Sequence, residues 1–185
     1  MCKNQQRFWL DIQFGGFVHY KTTFKSNSFH KLENNSVRYK KLGSADIATL
    51  TELINIYVEV FETENFLMPG REYLQNPLDN GNIIFCVALL GNTSIGGLTA
   101  YILPSVYSQS SEVYIYDLAV EQNMQRQGIG KNLISFLKKY CRELGHQEIY
   151  VQANIEDQQA IDFYKTTGGH FENVIHFSYD LKSEK

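Results

Sequence analysis

No stretch of the chain is long and apolar enough to cross a bilayer as a helix: the longest unbroken run, Ile83 to Leu90, falls far short of the roughly 20 residues required. No secretory leader is legible, because Asp11 and Gln13 interrupt the apolar patch behind Arg7. Cysteine is scarce. Cys2, Cys86 and Cys141 form an odd, widely spaced set with no pair at zinc spacing, which argues against a disulfide framework and a structural metal. The 5 histidines lack metal-ligand spacing as well, so no metal is expected. An excess of positive charge is also missing: 17 Lys and Arg stand against 20 Asp and Glu, a net charge of -3. Nucleic acid and anionic membrane are therefore poor partners, and the balance leans toward cationic ones. Repeats and low-complexity tracts are absent. The expectation is a cytoplasmic chain with reduced thiols.

What is present builds a core. A chain of 185 residues, 43% hydrophobic and carrying 12 Tyr and 12 Phe, suits one compact domain. Residues 1–36 read as an N-terminal extension, either a short hairpin in which Phe8, Leu10, Ile12 and Phe14 alternate before Gly15-Gly16, or a disordered tail. The domain proper is expected over 37–185. A strand over 37–42 precedes a helix capped by Ser44, with Ile47, Leu50, Ile54, Tyr57, Val58 and Phe61 at helical spacing. A short helix is read over 72–75 and a turn over 77–81. Ile83 to Leu90 is a strand buried on both faces, paired across Gly91-Asn92 with a strand over 95–103. A strand over 112–120, a helix over 126–144, a strand over 148–153, a helix over 157–165 and a last strand region over 171–181 complete the order. The fold class is α/β, a mixed sheet with helices packed on its faces.

The most informative junction is Tyr116-Asp117-Leu118-Ala119-Val120 followed by Gln125-Arg126-Gln127-Gly128-Ile129-Gly130-Lys131 at the start of a helix. Glycines let a ligand approach the backbone, and unpaired N–H groups with the helix dipole favour an anion. Arg126 adds positive charge. A Walker loop needs a Gly-Lys-Ser/Thr ending, and a dinucleotide fingerprint needs three glycines after a first strand; neither is present.

The pattern Gln-x-x-Gly-x-Gly after a strand ending Leu-Ala-Val resembles the pyrophosphate loop of the GCN5-related N-acetyltransferase (GNAT) superfamily. Downstream, Asp157-Gln158-Gln159-Ala160-Ile161-Asp162-Phe163-Tyr164 resembles that superfamily's Asn-x-x-Ala-x-x-x-Tyr helix, with Asp157 where Asn is usual. Residues 98–104, 111–120 and 150–153, with His176-Phe177, resemble type I aminoglycoside 3-N-acetyltransferases. The likeness spans 37–181. It departs at residues 1–36, at Gly168-Gly169-His170 and in the loop after Pro104.

The resemblance implies a GNAT-type, mostly antiparallel sheet with helices on both faces. It implies acetyl-CoA as cosubstrate, held by Gln125 to Lys131, by the backbone of Leu118, Ala119 and Val120, and at Asp157, where loss of the Asn amide leaves N-capping as the firmer role. It also implies acetyl transfer to the 3-amino group of an aminoglycoside, giving antibiotic resistance, and makes a homodimer an expectation. Transfer from a thioester needs a deprotonated amine, so a carboxylate beside the acceptor serves as base: Asp117 first, Glu112 second. Tyr164 takes the role of acid toward the thiolate. Asp79, Glu121, Glu156 and Glu172 are available for an acidic rim, and His176 reads as a packed or loop-bonding residue. Cys86 and Cys141 read as core residues. Two other readings stand beside this one: acetylation of a polyamine, another small amine or a protein amino group, and a non-catalytic acyl-CoA-binding regulatory module.

Overall fold

A computed structural model describes residues 36–181. The hairpin read at residues 8–16, and Cys2, lie outside them. The elements are β1 (Arg38–Lys41), α1 (Ile47–Val60), α2 (Arg71–Asp79), β2 (Ile83–Leu90), β3 (Thr93–Pro104), β4 (Ser111–Val120), a 3₁₀ turn (Gln122–Met124), α3 (Ile129–Glu143), β5 (Glu148–Val151) and α4 (Gln158–Thr166). The strands form one sheet in the order β1-β2-β3-β4-β5. The first four pair antiparallel, and β5 joins β4 in parallel.

Strand β2 explains why its sequence is continuously apolar. Ile84, Cys86 and Ala88 face α3, where Leu133, Leu137 and Cys141 are buried against them. Phe85, Val87 and Leu89 face the other way, onto Leu50 and Leu53 of α1 and Leu74 and Leu78 of α2. Both faces of the sheet are thus covered, and burial pushes the thiols of Cys86 and Cys141 up to about 12 and about 11. Helix α1 sits close to the sheet because Gly97 has no side chain: a Cβ there would lie 2.5 Å from the Cys86 carbonyl oxygen and 2.6 Å from Leu53 Cδ1.

Several boundaries differ from the sequence reading. Asp46, not Ser44, is the N-cap of α1; its carboxylate accepts from the Gly43 N–H at 2.9 Å and pairs with Lys40 Nζ at 2.6 Å. Helix α2 runs through Pro77 to Asp79, because Leu74 and Leu78, one turn apart, are both buried against α1. Helix α3 starts at Ile129 and not at 126, since Arg126 (φ 61°) and Gly128 (φ 82°) are left-handed, a conformation no α-helix contains. Its end is as expected: Gly145 is left-handed, and His146 N–H returns to the Cys141 carbonyl.

The last strand is not formed. Residues 171–181 carry no strand, and His176, read as a packed or loop-bonding residue, is exposed and not packed. Alternation defines the two faces of a strand but supplies no neighbour to pair with.

Candidate active site

The sheet is irregular where it matters most. Strand β3 pairs Thr99 with Asp117 but Ala100 with Ile115, so Tyr116 is the extra residue of a bulge. The bulge flips the side-chain phase. Val113 and Ile115 enter the core under α3, and so do Leu118 and Val120; Ala119 packs against Ile56 and Val60 of α1 on the other side. Simple alternation put Tyr114 and Asp117 on opposite faces. The bulge places them on the same one, with Glu112.

The sheet also opens at this point. Strand β5 pairs only with Glu112 to Ile115, so among the described residues no strand lies on the β5 side of β4 from Tyr116 to Val120. Main-chain groups of Leu118, Ala119 and Val120 border that opening.

Asp117 is half-buried, and burial alone raises its carboxyl to about 6. Beside it the Tyr57 hydroxyl lies 3.0 Å from Thr99 Oγ1, and Thr99 is the ladder partner of Asp117. Burial, followed by the charge of Asp117, pushes the Tyr57 phenol well above its ordinary value. Four tyrosines of β3, β4 and β5 form a ring cluster along the same strands. Tyr116 meets Tyr101 edge-on at 5.5 Å and Tyr114 edge-on at 6.0 Å, and Tyr114 stacks on Tyr150 at 5.1 Å. Burial and then Asp117 raise Tyr101 as well. Glu112 is exposed and lies further along β4, where its charge bears on Tyr150 after burial does.

Below the opening, Glu121 N–H bonds Ile95 and Gln125 Nε2 donates to the Val120 carbonyl at 3.0 Å, fixing the chain into the loop. Gln127 Nε2 donates to Asn123. No side chain caps α3, whose first turn therefore presents backbone N–H groups. Gly128 stands in the open: nothing lies within 4 Å of where its Cβ would be. Gly130 has a different surrounding, since a Cβ there would sit 3.1 Å from the Phe163 ring. It makes room for α4. Arg126, Gln127 and Lys131 are exposed at the loop rim.

Asp157 caps α4, its Oδ1 accepting from the Ala160 N–H at 2.9 Å. That cap aims Tyr164 inward. Burial above all, then Asp157, Tyr114 and Asp117, raises the Tyr164 phenol far above its ordinary value, so it stays protonated and within reach of the Asp117 charge.

A central strand with a bulge, a neighbour that pairs with only half of it and an uncapped glycine loop follow one another along the chain. The acetyltransferase (GNAT) family model matches residues 50–168. The chain belongs to that family. An aminoglycoside acetyltransferase from an uncultured soil metagenomic sample, solved with trehalose, is 43% identical over 78% of this chain and 96% of that one, with a TM-score of 0.76. A structure of an aminoglycoside acetyltransferase from the same kind of sample, holding sisomicin, is 42% identical over the same shares, also at 0.76. A third, also from an uncultured soil metagenomic sample, is 34% identical over 79% of this chain and 99% of that one, at 0.74. No curated protein matches.

In this GNAT chain the structure gathers Asp117, Tyr164, Leu118 to Val120 and the 125–131 loop around one opening, and sets Glu112 to one side. Tyr57, Thr99 and Tyr101 went unrecognised in the sequence. Tyr57 read as one more apolar position of α1, and only the β3–β4 register sets Thr99 and Tyr101 beside Asp117. Of the acidic rim residues, Asp79 is tied to Gln75 at 3.1 Å. No helix among the described residues is long and apolar enough to cross a membrane.

Proposed function

We propose that this protein transfers the acetyl group of acetyl-CoA to an amino group of an aminoglycoside, the 3-amino group being the one that the sequence resemblance implies. The observation that carries the proposal is Asp117: a carboxylate raised to about 6, on the bulge of β4, at the mouth of the opening between β4 and β5. A relative above 40% identity, an aminoglycoside acetyltransferase solved with sisomicin, supports the acceptor class.

The residues fit the coenzyme. Gly128 is left-handed and open, a side chain there would project into the space before α3, and the uncapped first turn offers donors to a diphosphate. The loop from Gln125 to Lys131 would hold that group, with Arg126 and Lys131 adding charge, and the main chain of Leu118 to Val120 would border the extended arm. When bound, the thioester supplies the activated acetyl group.

The chain's own residues do the rest. Near neutral pH Asp117 is mostly ionised, so it attracts an acceptor ammonium and takes its proton, leaving a nucleophilic amine. Such help is typically worth about 10²- to 10⁴-fold. Tyr101, Tyr114 and Tyr116 offer ring faces to a cationic or sugar-like acceptor. Tyr164 keeps its proton and serves as a hydrogen-bond donor on the α4 side of the opening; with its acidity so weakened, it aids the departing group more by donation than by complete transfer. Glu112 is the second carboxylate on the acceptor side.

The test is thiol release from acetyl-CoA by the purified protein with gentamicin and sisomicin, with NMR of the products for position. Acetylation at the 3-amino group is expected. Turnover of polyamines or peptide amines alone would replace the acceptor class, and coenzyme binding without turnover of any amine would make the chain a binding module.

A further inference from the structure

Two polar side chains are buried among the described residues, Ser94 and Thr99, both on β3. Each is met by a side chain of α1. Ser94 Oγ donates to Glu52 Oε2 at 2.7 Å, an ordinary tie between a hydroxyl and a carboxylate. Thr99 Oγ1 is met instead by the neutral Tyr57 phenol at 3.0 Å, although a carboxylate, that of Asp117, stands across the ladder from it.

Packing requires neither hydroxyl. The Tyr57 ring stacks on Phe61 at 5.6 Å, a contact phenylalanine would keep, and valine fills the place of threonine in a strand. Replacing both partners of a buried pair by apolar groups of the same shape is nearly neutral for stability. What this pair has and Phe with Val would lack is two hydroxyl protons. One lies in the bond between the oxygens, which can run in either direction, and the other turns to whatever stands beside the pair. Residues directly opposite in an antiparallel ladder share a face, with Cβ atoms about 5 Å apart. Thr99 Oγ1 is therefore one rotation of the Asp117 side chain, or one bridging water, from the carboxylate.

Among the described residues the titratable groups that bear on Asp117 are tyrosines: Tyr57 from α1, Tyr101 from β3, Tyr114 from β4 and Tyr164 from α4. Burial raises all four phenols, so none supplies a countercharge near neutral pH. Tyr57 is the one bonded to the ladder partner of Asp117. We propose that Tyr57 is a positioning residue: acting through Thr99, its hydroxyl holds the ionised Asp117 carboxylate in the orientation that takes up the acceptor's proton. The proposal rests on Asp117 serving as the base of acetyl transfer. When the acceptor nitrogen gives up its proton, an N–H bond breaks and an O–H bond forms on Asp117; no proton leaves the pair, whose hydroxyls rotate to accept from the new carboxylic acid. Tyr57 stays neutral throughout, because burial holds its phenol well above the ordinary value. Hydrogen bonds to a charged oxygen are roughly twice as strong as those between neutral groups, so the pair favours the ionised form.

Carbon-13 NMR of the Asp117 carboxyl in the full, coenzyme-free chain reads its titration without turnover. Tyr57→Phe and Thr99→Val should each raise the midpoint by about one pH unit from the wild-type value of about 6, and Thr99→Ser, which keeps the hydroxyl, should hold it there. Both changes together should shift it no further than either alone, since they cut the same relay. With acetyl-CoA and gentamicin, Tyr57→Phe should lower kcat/KM by about tenfold below about pH 6 and hardly at all at about pH 8, leaving the KM for acetyl-CoA unmoved. A midpoint that stays at the wild-type value in the folded Tyr57→Phe and Thr99→Val chains would make the pair a tie between α1 and β3 and overturn the proposal. A shifted midpoint in a chain that acetylates no amine would support the coupling of Tyr57 to Asp117 and overturn the transfer reading instead.

Discussion

Thr99 and Asp117 face each other across the β3–β4 ladder at its bulge, and the Thr99 hydroxyl is in turn bonded at 3.0 Å to the phenol of Tyr57. The catalytic carboxylate we propose is thus backed by a neutral hydroxyl pair and, among the described residues, by no cation. Its pKa of about 6 follows from burial that no nearby positive charge offsets.

The activity should therefore rise with pH as Asp117 loses its proton. We expect kcat/KM to climb through about pH 6 and level above it. Asp117→Asn should abolish that inflection and lower turnover by about 10²-fold or more while leaving coenzyme affinity unchanged. A wild-type rate in the variant would remove Asp117 from the mechanism.

The same substitution should stabilise the fold. A carboxyl whose folded value is raised from 3.8 to about 6 adds nothing unfavourable below pH 3.8, where both states are protonated. The penalty grows as pH rises between those values and is complete above the folded one, up to about 3 kcal/mol. Asp117→Asn should raise Tm by several degrees at pH 7.5 and hardly at all at pH 3.5. Thermal melts at the two pH values decide it.

Gly128→Val should weaken coenzyme binding at least about tenfold. A β-branched residue at φ 82° is strained and projects into the space before α3. Gly130→Ala makes a contrast, because its Cβ would meet Phe163 and so cost stability more than affinity. Calorimetric titration with CoA beside melting curves separates the two effects.

Tyr164→Phe should keep the fold and slow turnover by about tenfold, less than loss of Asp117, since water can replace a donor that does not transfer its proton fully. Turnover unchanged with all acceptors would reduce Tyr164 to packing against Phe163.

Asp157→Ala should cost about 1 kcal/mol by removing the acceptor for the Ala160 N–H, and Asp157→Asn should restore it. Denaturant unfolding measures both. A lower KM for acetyl-CoA in the Asn variant than in the native chain would show that the amide also reaches the coenzyme.

Much of this protein was legible in one dimension. The run Ile83 to Leu90 announced a central strand, Gly91-Asn92 its hairpin, and Gln125 to Gly130 before an apolar stripe a glycine turn ahead of a helix, because such signals depend on neighbours in the chain. Less legible were the features set by distant contacts. The sequence reading carried α3 back to 126, although two left-handed residues forbid it, and ended α2 at Gln75, although Leu78 holds one more turn against α1.

Periodicity and glycine placement were sufficient for the layered α/β sheet, and the resemblance of two short motifs for the family, since local backbone preference and one-sided burial act over a few residues. The bulge that turns Asp117 toward Tyr114, the Tyr57–Thr99 pair behind it, the Gly130–Phe163 contact and the fate of residues 171–181 were decided only in three dimensions. Each depends on which strand edge or helix face lies alongside, and that is settled by packing between segments tens of residues apart.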